Sequence, residues 1–233
     1  MPQPQYDQLF EYLSAPLTPT GEQPTLVFGR QDALLAIAMA TTEERGHARY
    51  YVVSGGIGKD SGNLAELGIT EAEFVAQGLP DESVSGAVQL GVSADKIVLD
   101  TVATNGGENA RNGLTIISSP SFVALSGLKI ATEFKAGDPV TALAHATSLR
   151  RLAALLSHEA ISANIPIGTV NMIPTAYSFN RNDPADRAEA LAEMMRLIDW
   201  PEKNWLQPQT DMPEDLREFA IAEAAKAKKL SDK

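Results

Sequence analysis

Short apolar runs that end in glycine or polar residues, each followed by a helical stretch, constrain this chain more than any other feature of its sequence. They cover residues 25–29 (TLVFG), 49–54 (RYYVVS), 96–100 (KIVLD) and 140–144 (VTALA), with a fifth at 167–173. The first is short, apolar and stopped by a glycine, which suits a strand buried on both faces. Between and after the runs, helices are predicted over 32–44 with Asp32 as a cap, near 70–77, over 81–90, from the 104–112 turn up to Pro120, over 122–134, and over 148–158 with Ser148 as its cap. Parallel neighbours need a crossover, usually a helix, so the expected fold is α/β with a doubly wound parallel sheet in three αβα layers. Residues 1–175 are assigned to this domain with a helical lead-in. Residues 176–233 form a helical C-terminal element packed on it, with helices at 184–198 and 213–229.

A length of 233 residues can bury one large core plus a small accessory element. Thirty acidic residues against 19 basic ones give a net charge of -11, which repels a phosphodiester backbone, so nucleic acid is not an expected partner. With no cysteine, disulfides, thiolate metal sites and a cysteine nucleophile are excluded. The polar first ten residues do not read as a signal peptide, and no window approaches the roughly 18–20 apolar residues of a membrane span. The expectation is a cytoplasmic protein without a membrane anchor. His47, His145 and His158 share no ligand spacing, so no metal is expected.

In an open parallel sheet, ligands bind beyond the carboxyl ends of the strands. Every unusual polar cluster of this chain falls at such an end. Gly29 and Arg30 follow the first run; Ser54 closes the second and leads into Gly55, Gly56 and Gly58. Those glycines permit positive φ and close approach to an anion, or they simply make a tight turn. Lys59–Asp60 excludes a phosphate loop, and Ser61 stands where a dinucleotide fingerprint needs its third glycine. Asp100 ends the third run, ahead of Thr104, Asn105, Gly107, Glu108, Asn109 and Arg111. Glu108 and Glu82 read either as acidic helix starts favoured by the macrodipole or as catalytic carboxylates. After the fourth run come His145, a general base or a hydrogen-bonded structural residue, then Ser148 and the pair Arg150–Arg151, of which one faces the sheet edge. A guanidinium opposite the glycine turn would suit a carboxylate or phosphate. Trp200 and Trp205 read as core packing or as a partner surface, and the lysine-rich end as a solvated helix terminus.

At these clusters the sequence resembles the bacterial YdcF/SanA/ElyC family, whose activity is largely unassigned. The residues that carry the resemblance are SGGIG after the second run, TNGGENAR after the third and Arg150–Arg151 after the fourth, with Gly29 and Glu82 also fitting. It covers roughly residues 25–160. It implies a Rossmann-like domain and, for the YdcF branch, binding of S-adenosylmethionine. Gly29, Arg30, Ser54, Gly55, Gly56, Gly58, Asp100, Thr104, Asn105, Glu108, Asn109, Arg111, Ser148, Arg150 and Arg151 would then contribute to the ligand site, with Glu82, Glu108 and His145 as catalytic candidates. A hydrolase or transferase acting on a phosphorylated or glycosylated envelope precursor is the alternative expectation. The sequence departs from the family where Ala103, Asp100 and Ser148 stand in place of serine, glutamate and histidine, and in a longer segment over 112–139.

Overall fold

The computed structural model describes residues 3–58 and 61–231; Lys59–Asp60 and the last two lysine-tail residues lie outside them. Five parallel strands form the central sheet: β1 (Gln23–Phe28), β2 (Ala48–Ser54), β3 (Ile97–Asp100), β6 (Val140–Ala144) and β7 (Val170–Pro174), in spatial order β3-β2-β1-β6-β7. The chain winds outward from β1 to β3 and then returns to β1's other side. The fold is therefore the expected doubly wound, Rossmann-like α/β sheet, with its topological switch between β1 and β6.

Strand residues alternate between two separate cores, as the period of two requires. Leu26, Phe28, Tyr50, Val52, Val98 and Ala142 face helices α5 (Gly106–Ser118) and α6 (Leu149–Ser162). Val27, Tyr51, Val53, Ile97 and Leu143 face α2 (Leu34–Glu44) and α4 (Glu71–Gln77). Both faces being covered is why these runs lack polar alternation. The lead-in helix α1 (Gln3–Ser14) packs with α7 (Pro184–Asp199) and α8 (Glu214–Ser231) as a further layer on the α6 side, burying Leu9, Leu13, Met194, Leu197 and Phe219. A short helix α3 (Asn63–Leu67) precedes α4. No helix of the described residues is long and apolar enough to cross a membrane.

Two predicted helices are absent. Over 81–90 the chain makes turns instead: Asp81 Oδ1 accepts from Ser83 N–H at 3.1 Å and Ser83 Oγ at 2.6 Å, and Glu82 takes a φ of 59°. A short acid that closes its own Asx turn competes with helix formation. The backbones of Gly78 and Gly86 also touch, with no room for a Cβ at position 86, and this bends the segment back onto α4. Over 122–134 a hairpin forms from β4 (Ser121–Val123) and β5 (Lys129–Ala131), turning at Gly127 with φ 88°. Phe122 alone of β4 is buried, its ring 5.0 Å from Tyr50, a period-two pattern that burial reads as strand. Other boundaries move slightly: the N-cap position of α2 falls on Ala33, with Asp32 closing the helix start from one residue ahead by accepting Leu34 N–H at 2.9 Å, and Ser148 makes no side-chain cap for α6.

Helix α5 comes close enough to the sheet that a Cβ at Gly113 would stand 2.4 Å from Leu26 Cδ1. Gly113→Val should therefore overpack this layer and cost about 1–3 kcal/mol. A lower urea midpoint with unchanged slope is the expected result.

Candidate functional site

At the switch between β1 and β6, the loops leaving the two strands bring Arg30 and Asp32 against His145 and Thr147. Helix α7 adds Glu189, and Tyr177 lies with its ring 4.5 Å from His145. Thr147 Oγ1 donates to Glu189 Oε1 at 2.9 Å and stands 2.8 Å from His145 Nδ1. Its single proton is committed to the carboxylate, so His145 Nδ1 must be the donor in that second contact. His145 Nε2 is then a bare acceptor. It faces Asp32 Oδ2 at 3.8 Å, an oxygen with no hydrogen-bond partner, while Asp32 Oδ1 is occupied by the α2 cap.

Charge placement maintains this state. Burial, reinforced by the Arg30 cation, pushes His145 below its ordinary pKa despite the nearby carboxylates of Asp32, Glu189 and Glu193. Burial also works against the charges of Arg30 and Glu189, but their 2.9 Å bridge outweighs it, raising the guanidinium and lowering the carboxyl. Tyr177 is pushed up to about 12, by burial and by its bond to Asp186, so it is a donor at neutral pH.

The glycine turn has another role than holding an anion. Gly29 N–H donates to Ser54 O, Gly55 N–H to Asp100 O, Gly56 N–H to Ala103 O and Gly58 N–H to Ser61 Oγ, at 2.6–2.9 Å. None of these four residues has positive φ. They are glycine because backbone packs on backbone: a Cβ on Gly56 would lie 2.6 Å from Thr101 O, and one on Gly29 2.8 Å from Ser54 O. Ser54 and Asp100 belong to the same framework, Ser54 Oγ donating to Asp100 Oδ2 at 2.6 Å. Of the two readings open to these glycines, the structure shows the tight turn, with its donors already used.

Beside this turn, the start of α5 opens on a cavity of about 430 Å³. Asn105 caps the helix through Glu108 N–H, and Glu108 reaches back to the N–H and hydroxyl of Thr104 at 2.7 and 2.9 Å. Those bonds, the backbone one first, hold the exposed Glu108 carboxyl below its ordinary pKa, which marks it as a helix-start residue rather than a base. Gly106 and Gly107 line the cavity as the first residues of the helix, where N–H groups lack intrahelical partners. Arg111 of the same helix, forked onto Glu159 at 3.1 and 3.2 Å, and Arg151, 2.5 Å from Glu193 Oε2, line it too. Trp200 and Trp205 close the far side, edge to face with centroids 5.6 Å apart.

Of the residues singled out in the sequence, Asn105, Gly107, Arg111 and Arg151 line this cavity, and Arg30 and His145 meet at the neighbouring switch. A Cβ on Gly58 would stand 2.8 Å from Thr104 O and one on Gly106 3.4 Å from Arg151 Nη1, so the glycine turn, the acid-amide stretch and one arginine do share the carboxyl edge. Arg150 points away, donating to Tyr12 O at 2.8 Å and pairing with Asp211 at 2.7 Å. Ser148 donates to His145 O, and Asn109 is buried with its Oδ1 unpartnered. Glu82 is exposed in the turn beyond the end of α4; since α4 begins at Gly55–Gly56, this turn lies away from the carboxyl edge. Sequence reasoning did not single out Thr147, Tyr177, Glu189 or Glu193 and read Asp32 only as a cap. The spacing of Glu189 and Glu193, one turn apart on one helix face, was the available signal.

No family model matches the chain, and no curated protein matches it.

Because His145 takes up a proton less readily in the folded state than in the unfolded chain, folding stability should fall as pH drops below about 6.5, the ordinary histidine value, and level off below the folded pKa. His145→Gln should remove that component. Urea midpoints of both proteins between pH 7.5 and 5 provide the comparison.

Proposed function

We propose that the chain binds S-adenosylmethionine or a related adenosyl compound in the cavity between the start of α5 and the C-terminal element. One observation carries this reading: a helix start, two guanidinium groups and two indole rings converge on one cavity at the carboxyl edge of a doubly wound sheet. An indole face suits a purine, and guanidinium and free helix N–H groups suit the acceptor atoms of the base and ribose. Each arginine is backed by a carboxylate, Glu159 or Glu193, which leaves the cavity balanced rather than cationic and compatible with a sulfonium ligand. The YdcF-like motifs support the same ligand.

Both tryptophans of the chain line this cavity, so intrinsic fluorescence reports on it directly. Titration with S-adenosylmethionine should change that signal saturably. Trp205, 52% exposed and free of the core, should stack on the base, and Trp205→Ala should weaken binding by about 1–3 kcal/mol. An unchanged signal at millimolar ligand would remove the proposal.

A second reading, a hydrolase or transferase acting on a phosphorylated or glycosylated precursor, is favoured by the bare His145 Nε2 beside the Arg30 guanidinium. Glu82 and Glu108 contribute nothing to it. Turnover in a phosphoester screen that His145→Gln abolishes would support this reading over pure binding, and silence in both proteins would reject it.

A further inference from the structure

Among the described residues, two buried side-chain oxygens lack a hydrogen-bond partner: Asp32 Oδ2 and Asn109 Oδ1. Both sit at the carboxyl end of β1. Asp32 lies in the loop that leaves that strand, which ends at Phe28. Asn109 lies one helical turn before Gly113, which abuts Leu26, and a turn of about 5.4 Å places it level with the end of β1. Asp32 Oδ2 also faces His145 Nε2 at 3.8 Å, two acceptors with no donor between them. Such a pair repels unless a group with at least two hydrogens enters and donates to both.

We propose that Arg30, Asp32 and His145 form a subsite for an α-amino-acid end group. Its ammonium donates to Asp32 Oδ2 and His145 Nε2, giving both acceptors the donor they lack while His145 stays neutral. Its carboxylate meets Arg30, which turns back two residues before Asp32 and uses only Nη1 on Glu189. Arg30, at 44% exposure, forms the open side of the cluster, and its Nη2 and Nε stay clear of the Nη1 bond to the half-buried Glu189. The charged groups around the ring are Arg30 and Asp32 from the loop after β1 and Glu189 and Glu193 from α7; at pH 7.5 the imidazole, held below its ordinary value, is neutral. Glu193 lies one helical turn from Glu189 and holds Arg151 of the indole cavity, so the subsite adjoins that cavity without being part of it. Two sources share this chemistry, a free amino acid and the methionine end of an adenosyl ligand.

The chain has three histidines, so imidazole ¹⁵N resonances resolve His145 readily. At pH 7.5, L-methionine should shift the His145 Nε2 resonance saturably, leave His47 and His158 in place, and be replaced in neither effect by 4-methylthiobutanoate, which lacks the amine. Asp32→Asn keeps the Oδ1 cap of α2 and puts an amide donor against Nε2; it should lose at least tenfold in affinity. His145→Gln, followed by calorimetry, repeats the test should that variant fold poorly. S-adenosylmethionine shifting His145 while methylthioadenosine changes only tryptophan fluorescence supports both the subsite and the adenosyl reading. Methionine acting on His145 with no response to either adenosyl compound supports the subsite and removes that reading. Equal binding of the two adenosyl compounds with His145 unmoved overturns the subsite alone. A protonated Nε2, or one held by ordered water and indifferent to methionine, also overturns it.

Discussion

Bare backbone packed on bare backbone sets the geometry of the whole carboxyl edge. Gly29 against Ser54, Gly55 against Asp100 and Gly56 against Ala103 extend the hydrogen-bonded ladder of β1, β2 and β3 past the last strand residues. Side chains at these positions would force the loops apart. With the loops held together, α4 can begin on the carbonyls of Gly55 and Gly56, and the 101–104 segment is delivered to the start of α5. The cavity and the switch cluster both depend on that delivery, although no glycine of the turn offers a donor to either.

Helix α7 gives the second level of organisation. Two of its carboxylates, four residues apart, reach different neighbourhoods: Glu189 binds Arg30 and Thr147, and the almost fully buried Glu193 binds Arg151 and Arg196. Burial of Glu193 is tolerated because two guanidinium groups surround it. The C-terminal element therefore contributes charge to the carboxyl edge as well as apolar cover for α6.

How much of this could be read from residues alone follows physical lines. The first four runs of the central sheet were legible because burial on both faces leaves a plain apolar run, the partly exposed fifth less so, and the candidate site's location followed from polar residues at the ends of those runs. The helix over 122–134 was misread because Phe122 through Leu128 suits either period when short, and tertiary contact with Tyr50 decided for strand. Glu82 was misread because the apolar residues after it mask an Asx turn. Arg150 and Arg151 were equivalent in sequence; only the position of α1, whose Tyr12 carbonyl takes one of them, separates their roles. The spacing of the α7 carboxylates hints at a shared face, but what they pair with is set by packing over more than 40 residues of chain.

At the opposite edge of the sheet, Gln23 Oε1 accepts from Thr141 Oγ1 at 3.0 Å and Asn171 Nδ2 at 2.7 Å, a buried polar tie across β1, β6 and β7. Sliding any of the three strands by one residue would strand all three polar groups in an apolar layer while inverting the faces of every residue that follows. The tie acts as an alignment key: the relative height of Asp32 and His145, far along the same two strands, is specified by an amide placed where no ligand could reach it.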